Sequence, residues 1–258
     1  MQFIDTHCHL SDPAFGGDTD AVIAAAIDAG VYKMLQADTC SAEREAMLSL
    51  CKAHPGVLYP MVGLYPGYVT KDWQSEVDEV CRLAGEPDFI AIGEIGLDYH
   101  FSIEFKDEQK DAFKSQLELA SRLNIPVNIH LRDATDDFFD ILESCKNLNL
   151  RGNLHAFSGS AQTARRVRNY GEWSVGIGGV LTFKNAHIAK ELEDIPLEMI
   201  LLETDAPYLT PAPFRGTRND SSRIPLIAAK VAEIKGVSIE EVARVTSANA
   251  LRLFDRIQ

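Results

Sequence analysis

The sequence predicts an α/β fold: a single (β/α)8 TIM barrel over residues 1–258, distorted, with short C-terminal helices. Three observations predict it. A short run rich in Val, Ile, Leu and Phe is followed by a longer amphipathic stretch, and the pair recurs about eight times. That alternation is the pattern of buried parallel strands joined by right-handed helical crossovers. No G-x-G-x-x-G follows the first strand, which removes the best support for an open dinucleotide-binding sheet. No interdomain linker or low-complexity segment breaks the series, and barrels of this length fold as one unit.

The first strand is read at 2–6 and its helix at 21–30, where Ala29-Gly30 marks the stop. The second pair is 31–37 and 42–54, the third 57–64 and 73–84. The fourth is 89–97 and 108–123, closed by Asn124, and the fifth 125–130 and 136–147. The sixth is 152–157 and 161–170, the seventh 173–180 and 185–193. The eighth strand, 199–204, is separated from its helix, 222–235, by a loop at 207–221 rich in Pro, Gly, Arg and Asn. Residues 237–258 are expected to form one or two short helices packed outside the barrel.

Composition narrows the function. With 46% apolar and 24% charged residues, the chain has the makings of an ordinary globular core. No apolar run reaches the ~18 residues of a membrane helix, and residues 1–5 lack a signal-peptide pattern. Five scattered cysteines, an odd number with no C-x-x-C pair, suit free thiols in a reducing cytoplasm. The formal charge of −13 argues against a tight, processive binder of nucleic acid. It leaves room for an enzyme that attacks a strand end, with phosphate contacts made locally by metal or a few arginines. No oligomer is implied.

The chemistry lies at the predicted strand ends. His7 and His9 form H-x-H at the end of the first strand, and Glu94 lies near the end of the fourth. His130 ends the fifth, His155 the sixth and Asp205 the eighth. The C-terminal ends of barrel strands converge on one mouth, so six ligand-type side chains share a centre. In extended chain, alternate residues face the same side, so His7 and His9 can chelate together while Cys8 turns away. Seven histidines in 258 residues would give roughly 0.2 such pairs by composition; the weight rests on the whole set. Four imidazoles and two carboxylates exceed the needs of one catalytic ion. Two divalent ions fit better, with mixed N/O ligation suited to Zn, Mn or Fe and also open to Mg.

These residues resemble the TatD-like family of metal-dependent deoxyribonucleases, among the amidohydrolase-type barrels. The resemblance runs end to end on five ordered motifs. They are Phe3-Ile4-Asp5-Thr6-His7-Cys8-His9-Leu10, Ala91-Ile92-Gly93-Glu94-Ile95-Gly96-Leu97-Asp98, Pro126-Val127-Asn128-Ile129-His130, Leu154-His155-Ala156-Phe157-Ser158-Gly159 and Leu201-Leu202-Glu203-Thr204-Asp205-Ala206-Pro207-Tyr208-Leu209. The resemblance implies a two-metal site bridged by Glu94. His7, His9 and Asp205 would serve one ion, His130 and His155 the other, and Asp205 would also deprotonate the attacking water. It implies Mg- or Mn-dependent removal of nucleotides from the 3′ end of single-stranded DNA, with links to DNA repair in some members.

One motif departs. The family commonly carries G-x-H-P-H after the third strand, where this chain reads Gly63-Leu64-Tyr65-Pro66-Gly67. Tyr65 is either a phosphate donor or a packing aromatic. Arg215 and Arg218 in the loop after strand eight, together with Arg132, are candidate phosphate readers, since Arg suits bidentate recognition. Asp98, Tyr99 and His100 enter a mouth loop, while His54 and His187 read as solvated. The competing expectation keeps the metals and changes the substrate to an ester or amide, aminoacyl-tRNA deacylation being one example.

Overall fold

The computed structural model describes residues 1–257, and its elements alternate in the predicted order. Strands β1 (Phe3–Cys8), β2 (Val31–Gln36) and β3 (Leu58–Pro60) form one parallel arc. Strands β4 (Ile92–Asp98), β5 (Val127–Arg132), β6 (Leu150–Leu154), β7 (Gly171–Ile177) and β8 (Ile200–Leu202) form the other. Single parallel bridges, Val62 with Ile92 and Cys8 with Ala206, join the arcs at both edges into a barrel. The first seam is held by Gly93 N–H donating to the Val62 carbonyl at 3.0 Å. In the second, the Asp205 and His9 N–H groups donate to the His7 and Ala206 carbonyls at 2.9 and 2.8 Å.

Helices α1 (Thr19–Asp28), α2 (Ser41–Ala53), α3 (Trp73–Leu83) and α4 (Lys106–Leu123) follow the first four strands. Helices α5 (Thr135–Ser144), α6 (Ala161–Val167), α7 (Ile188–Glu191) and α8 (Ile224–Lys235) follow the rest. Asn124 ends α4 in the left-handed region at φ 52°, as a C-terminal Asn can. Several predicted elements come out shorter, among them strand eight, which keeps only Ile200–Leu202. Strand three ends at Pro60, which has no N–H to extend a ladder. Helix seven shrinks from 185–193 to one α-turn followed by a 3-10 turn at Leu192–Asp194.

The C-terminal expectation of one or two helices outside the barrel matches an α-helix with a 3-10 turn at Asp255–Ile257, and the structure adds where they pack; Gln258 lies outside the described residues. Residues 239–253 form one long helix, α9, started by a capping box in which Ser238 Oγ accepts from Glu241 N–H at 3.1 Å. The helix seals the lower end of the barrel. Ala250, Leu253, Phe254 and Ile257 pack with Ile4, Leu35, Met61, Ile90 and Leu201 at the strand starts. Polar ties fix it there: Asn249 Nδ2 donates to the Leu197 and Ile200 carbonyls, and Ser247 Oγ to that of Gln2. The helix is apolar on this face because the barrel floor has no other cover. Phe254, fully buried, should therefore cost about 3–5 kcal/mol when replaced by Ala. Urea unfolding checks this, and a loss below 1 kcal/mol would count against the plug.

Candidate active site

The upper ends of β1, β4, β5, β6 and β8 bring His7, His9, Glu94, His130, His155 and Asp205 together. The donor atoms fall into two main groups, linked by a third cluster of His7, His155 and Asp205. His7 Nε2 lies 3.1 Å from His9 Nε2, 3.3 Å from Glu94 Oε2 and 3.5 Å from Asp205 Oδ1. His9 Nε2 is 3.5 Å from each of those carboxylate oxygens. A tetrahedral ion with ~2.0–2.1 Å bonds has donor–donor edges of ~3.3–3.4 Å, close to the spacings among His7, His9 and Glu94 and to those of Asp205 from the two imidazoles. In the second group, His155 Nε2 and His130 Nδ1 are 2.8 and 3.0 Å from Glu94 Oε1, and 3.2 Å from each other. Glu94 thus turns one oxygen to each group.

The position of Glu94 differs from expectation. It is the third residue of β4, which runs on to Asp98. The ladder to β5 breaks between Ile92 and Ile95, and Glu94 N–H donates instead to the Asp38 carbonyl at 2.9 Å. At Gly96, φ is 142° and a Cβ would overlap the His130 carbonyl oxygen, so only glycine lets β4 approach β5 this closely.

Other buried groups orient the imidazoles. His7 Nδ1 is 2.8 Å from Asn128 Oδ1, whose amide nitrogen donates to the Thr6 carbonyl. An amide oxygen only accepts, so in the neutral ring Nδ1 carries the hydrogen and Nε2 is the nitrogen left to ligate. His130 Nε2 sits 2.8 Å from Asp98 Oδ2, which frees Nδ1 in the same way. Beneath His155, Glu203 accepts from Ala156 N–H. Asn128, Asp98 and Glu203 were not singled out by residue type as site residues. A signal existed for two of them: Asn128–His130 and Glu203–Asp205 are i, i+2 pairs of polar residues facing one side of apolar strands.

Charge follows this arrangement. Burial opposes protonation of His7, but Glu94 foremost, then Asp205 and Glu203, raise it to about 10. For His130, burial is outweighed by hydrogen bonds to Asp98 and Glu94, and the group rises to about 9. Burial, then the charge of His7 stacked 3.8 Å away, lowers His155 to about 4. Burial pushes Glu94 up, yet His155, His7 and His130 hold it well below the carboxylate range. Burial similarly raises Asp205, and His9, His7 and His155 reverse it. Burial lifts Glu203 to about 8.

A sign follows for metal uptake. His7 and His130 carry protons at pH 7 in the metal-free chain and must lose them to ligate. Apparent affinity should then fall as pH drops, by roughly tenfold per unit for each proton displaced. Calorimetric titration with Mn in two buffers of different ionisation enthalpy reads the released protons; none released would refute the assignment of these nitrogens as donors.

Strain gathers at the same mouth. Asp133, Ala156 and Asp205, within three residues of strand ends, and Leu209 in the loop after β8 have φ between 44° and 55°. Tyr65 lines the cleft, its ring edge-on to His130 with centroids 5.0 Å apart. A Cβ on residue 67 would overlap the Tyr65 ring, so Tyr65 and Gly67 are a coupled departure, the larger ring occupying what a side chain at 67 would need. The arginines are spread out. Arg132 lines an adjoining cleft and stacks on Phe101. Arg218 instead grips both oxygens of Asp18, at 3.0 and 2.7 Å, and Arg215 stacks over Phe183; neither lines the cleft above the donors. His54 and His187 pair with Asp20 and Glu191 away from it.

Comparison with known proteins agrees on the family. The profile of the family described as TatD related DNase matches residues 4–255. The metal-dependent hydrolase YabD of Bacillus subtilis is 36% identical over 97% of this chain and 98% of its own. The 3′-5′ ssDNA/RNA exonuclease TatD of Pantoea ananatis is 35% identical over 98% and 99%. The crystal structure of YJJV, a TatD homolog from Escherichia coli K12, superposes with a TM-score of 0.90 at 32% identity, covering 98% of both chains.

Proposed function

We propose that this chain, which belongs to the family of TatD related DNases, is a two-metal exonuclease removing nucleotides from the 3′ ends of single-stranded DNA. The family and its relatives make it a metal-dependent hydrolase of ester bonds. The observation that carries the finer reading is Glu94, whose two oxygens face separate histidine groups. Two divalent ions, Mg or Mn with Zn as a further option, would supply Lewis acidity and acidify water between them.

The residues of the chain then have distinct tasks. His7, His9 and Asp205 hold one side, His130 and His155 the other, and Glu94 spans both. Asp205 is ionised, and its Oδ2 makes no hydrogen bond among the described residues, so it can take the proton of the attacking water. Attack at phosphorus breaks the bond to the 3′ oxygen, and the proton passes on to that leaving oxygen. A nucleoside 5′-phosphate and a shortened strand with a 3′ hydroxyl result. Arg132 faces the phosphates upstream, while Tyr65 packs against His130. Arg215 and Arg218 would act on the strand only after leaving their present partners.

A second reading, an ester or amide substrate, draws support from the charge of −13 and from Tyr65 and Gly67 in place of the usual histidines. The test is release of label from 3′-labelled single-stranded DNA by metal-stripped protein, with Mg, Mn and Zn added back separately. Stepwise, metal-dependent release supports the exonuclease. Metal binding without any cleavage would move the assignment to the second reading.

A further inference from the structure

The cleft above the donors differs from one side to the other in charge. Its volume of about 420 Å³ is enclosed by the loops after β1, β2, β3 and β8, a size within the ~300–1,000 Å³ of small-molecule sites. No lysine or arginine is among the described residues that line it. Asp12 and Glu43 do line it, and neutral groups alone donate to them. Tyr208 Oη donates to Asp12 Oδ2 at 2.8 Å and Ala14 N–H to Oδ1 at 2.7 Å. Tyr68 Oη donates to Glu43 Oε1 at 3.0 Å and Thr39 Oγ1 to Oε2 at 2.6 Å. These bonds hold two half-exposed tyrosine rings at the rim. Asp38, on the same wall and only 2% exposed, gives one oxygen to Arg44, while its Oδ1 has no partner.

The other side is less anionic: Arg132 stands there beside a single lining carboxylate, Asp133, which pairs with His100. A cleft of about 470 Å³ shares His155 with the first and is lined by Arg132. A strand crossing the donors therefore keeps its phosphates toward Arg132, because a further phosphate on the tyrosine side would meet like charge. What suits the tyrosine side is a base to stack on an aromatic ring and a hydroxyl to donate to a carboxylate, which only accepts. Building on the exonuclease reading, we propose that the side bounded by Asp12, Glu43, Tyr68 and Tyr208 is a pocket for one terminal nucleoside with a free hydroxyl. It rejects a strand that ends in a phosphate or continues past the scissile bond. End-directed cutting then arises from charge rather than from a steric wall.

The experiment compares one single-stranded sequence with a 3′ hydroxyl, with a 3′ phosphate and closed into a circle. It uses metal-loaded wild type and the double variant Asp12→Asn/Glu43→Gln. Wild type should cut the hydroxyl-ended strand at least tenfold faster than the other two. That ratio should fall toward one in the double variant, and also as salt screens the rim. Ratios within one preparation do not depend on the folded fraction. Equal rates on the three substrates in wild type, or an unchanged ratio in the double variant, would overturn the pocket and leave the nuclease standing. Cleavage of none of them with any metal would remove the nuclease reading, and the pocket with it.

Discussion

Replacing Glu94 with Gln should abolish hydrolysis, lowering kcat by about 10³-fold or more, as loss of one member of an interdependent catalytic unit does. The geometry makes the effect large. Each Glu94 oxygen lies within 3.5 Å of two imidazole nitrogens, one pair from each histidine group. Gln keeps the shape but removes the charge and replaces one acceptor with a donor, so one group loses its anionic member. Bound metal per chain should fall alongside activity, while the far-ultraviolet circular dichroism stays that of wild type. A Glu94→Gln protein with full metal content and full activity would end the bridging assignment.

Asp205→Asn should act differently. It keeps an oxygen for the His7–His9 group but loses the proton acceptor. A kcat loss of about 10²–10⁴-fold is expected, the range of general-base contributions, with KM little changed. A raised KM at unchanged kcat would make Asp205 a binding group only. Its lowered proton affinity makes it a weak base on its own, which is why the proposed reaction also needs an acidified water.

Both variants probe positions legible in the sequence, and the reasons are physical. A donor at the end of a buried strand stands out because apolar residues surround it and barrel topology brings all strand ends to one mouth. What stayed hidden depends on pairing between distant strands. Nothing local to Asp98 says that it meets His130 across β4 and β5, or that β4 would shift at Glu94 to bond Asp38. Arg218 read as free because Asp18 lies 200 residues away in sequence. The packing place of α9 is not legible in its own sequence, because its apolar face matches a barrel floor that exists only once the strands have closed. The alternation Asp5-His7-His9, Asn128-His130, Asn153-His155 and Glu203-Asp205 could have revealed the polar layer under the donors, and all four lower members are fully buried.

The two seams of the barrel have a thermodynamic consequence. Between β8 and β1 and between β3 and β4, single bridges stand where the other strand pairs have ladders. His7 and His9 belong to one arc, while Glu94, His130, His155 and Asp205 belong to the other. An ion held by the first group, as proposed above, would therefore be a rivet across the joints with single bridges. Its binding free energy would add to the cohesion of the whole barrel, growing with the logarithm of free metal concentration. A chelator would then loosen the arcs against each other, and the ion that serves the reaction would also set how long the barrel survives heat.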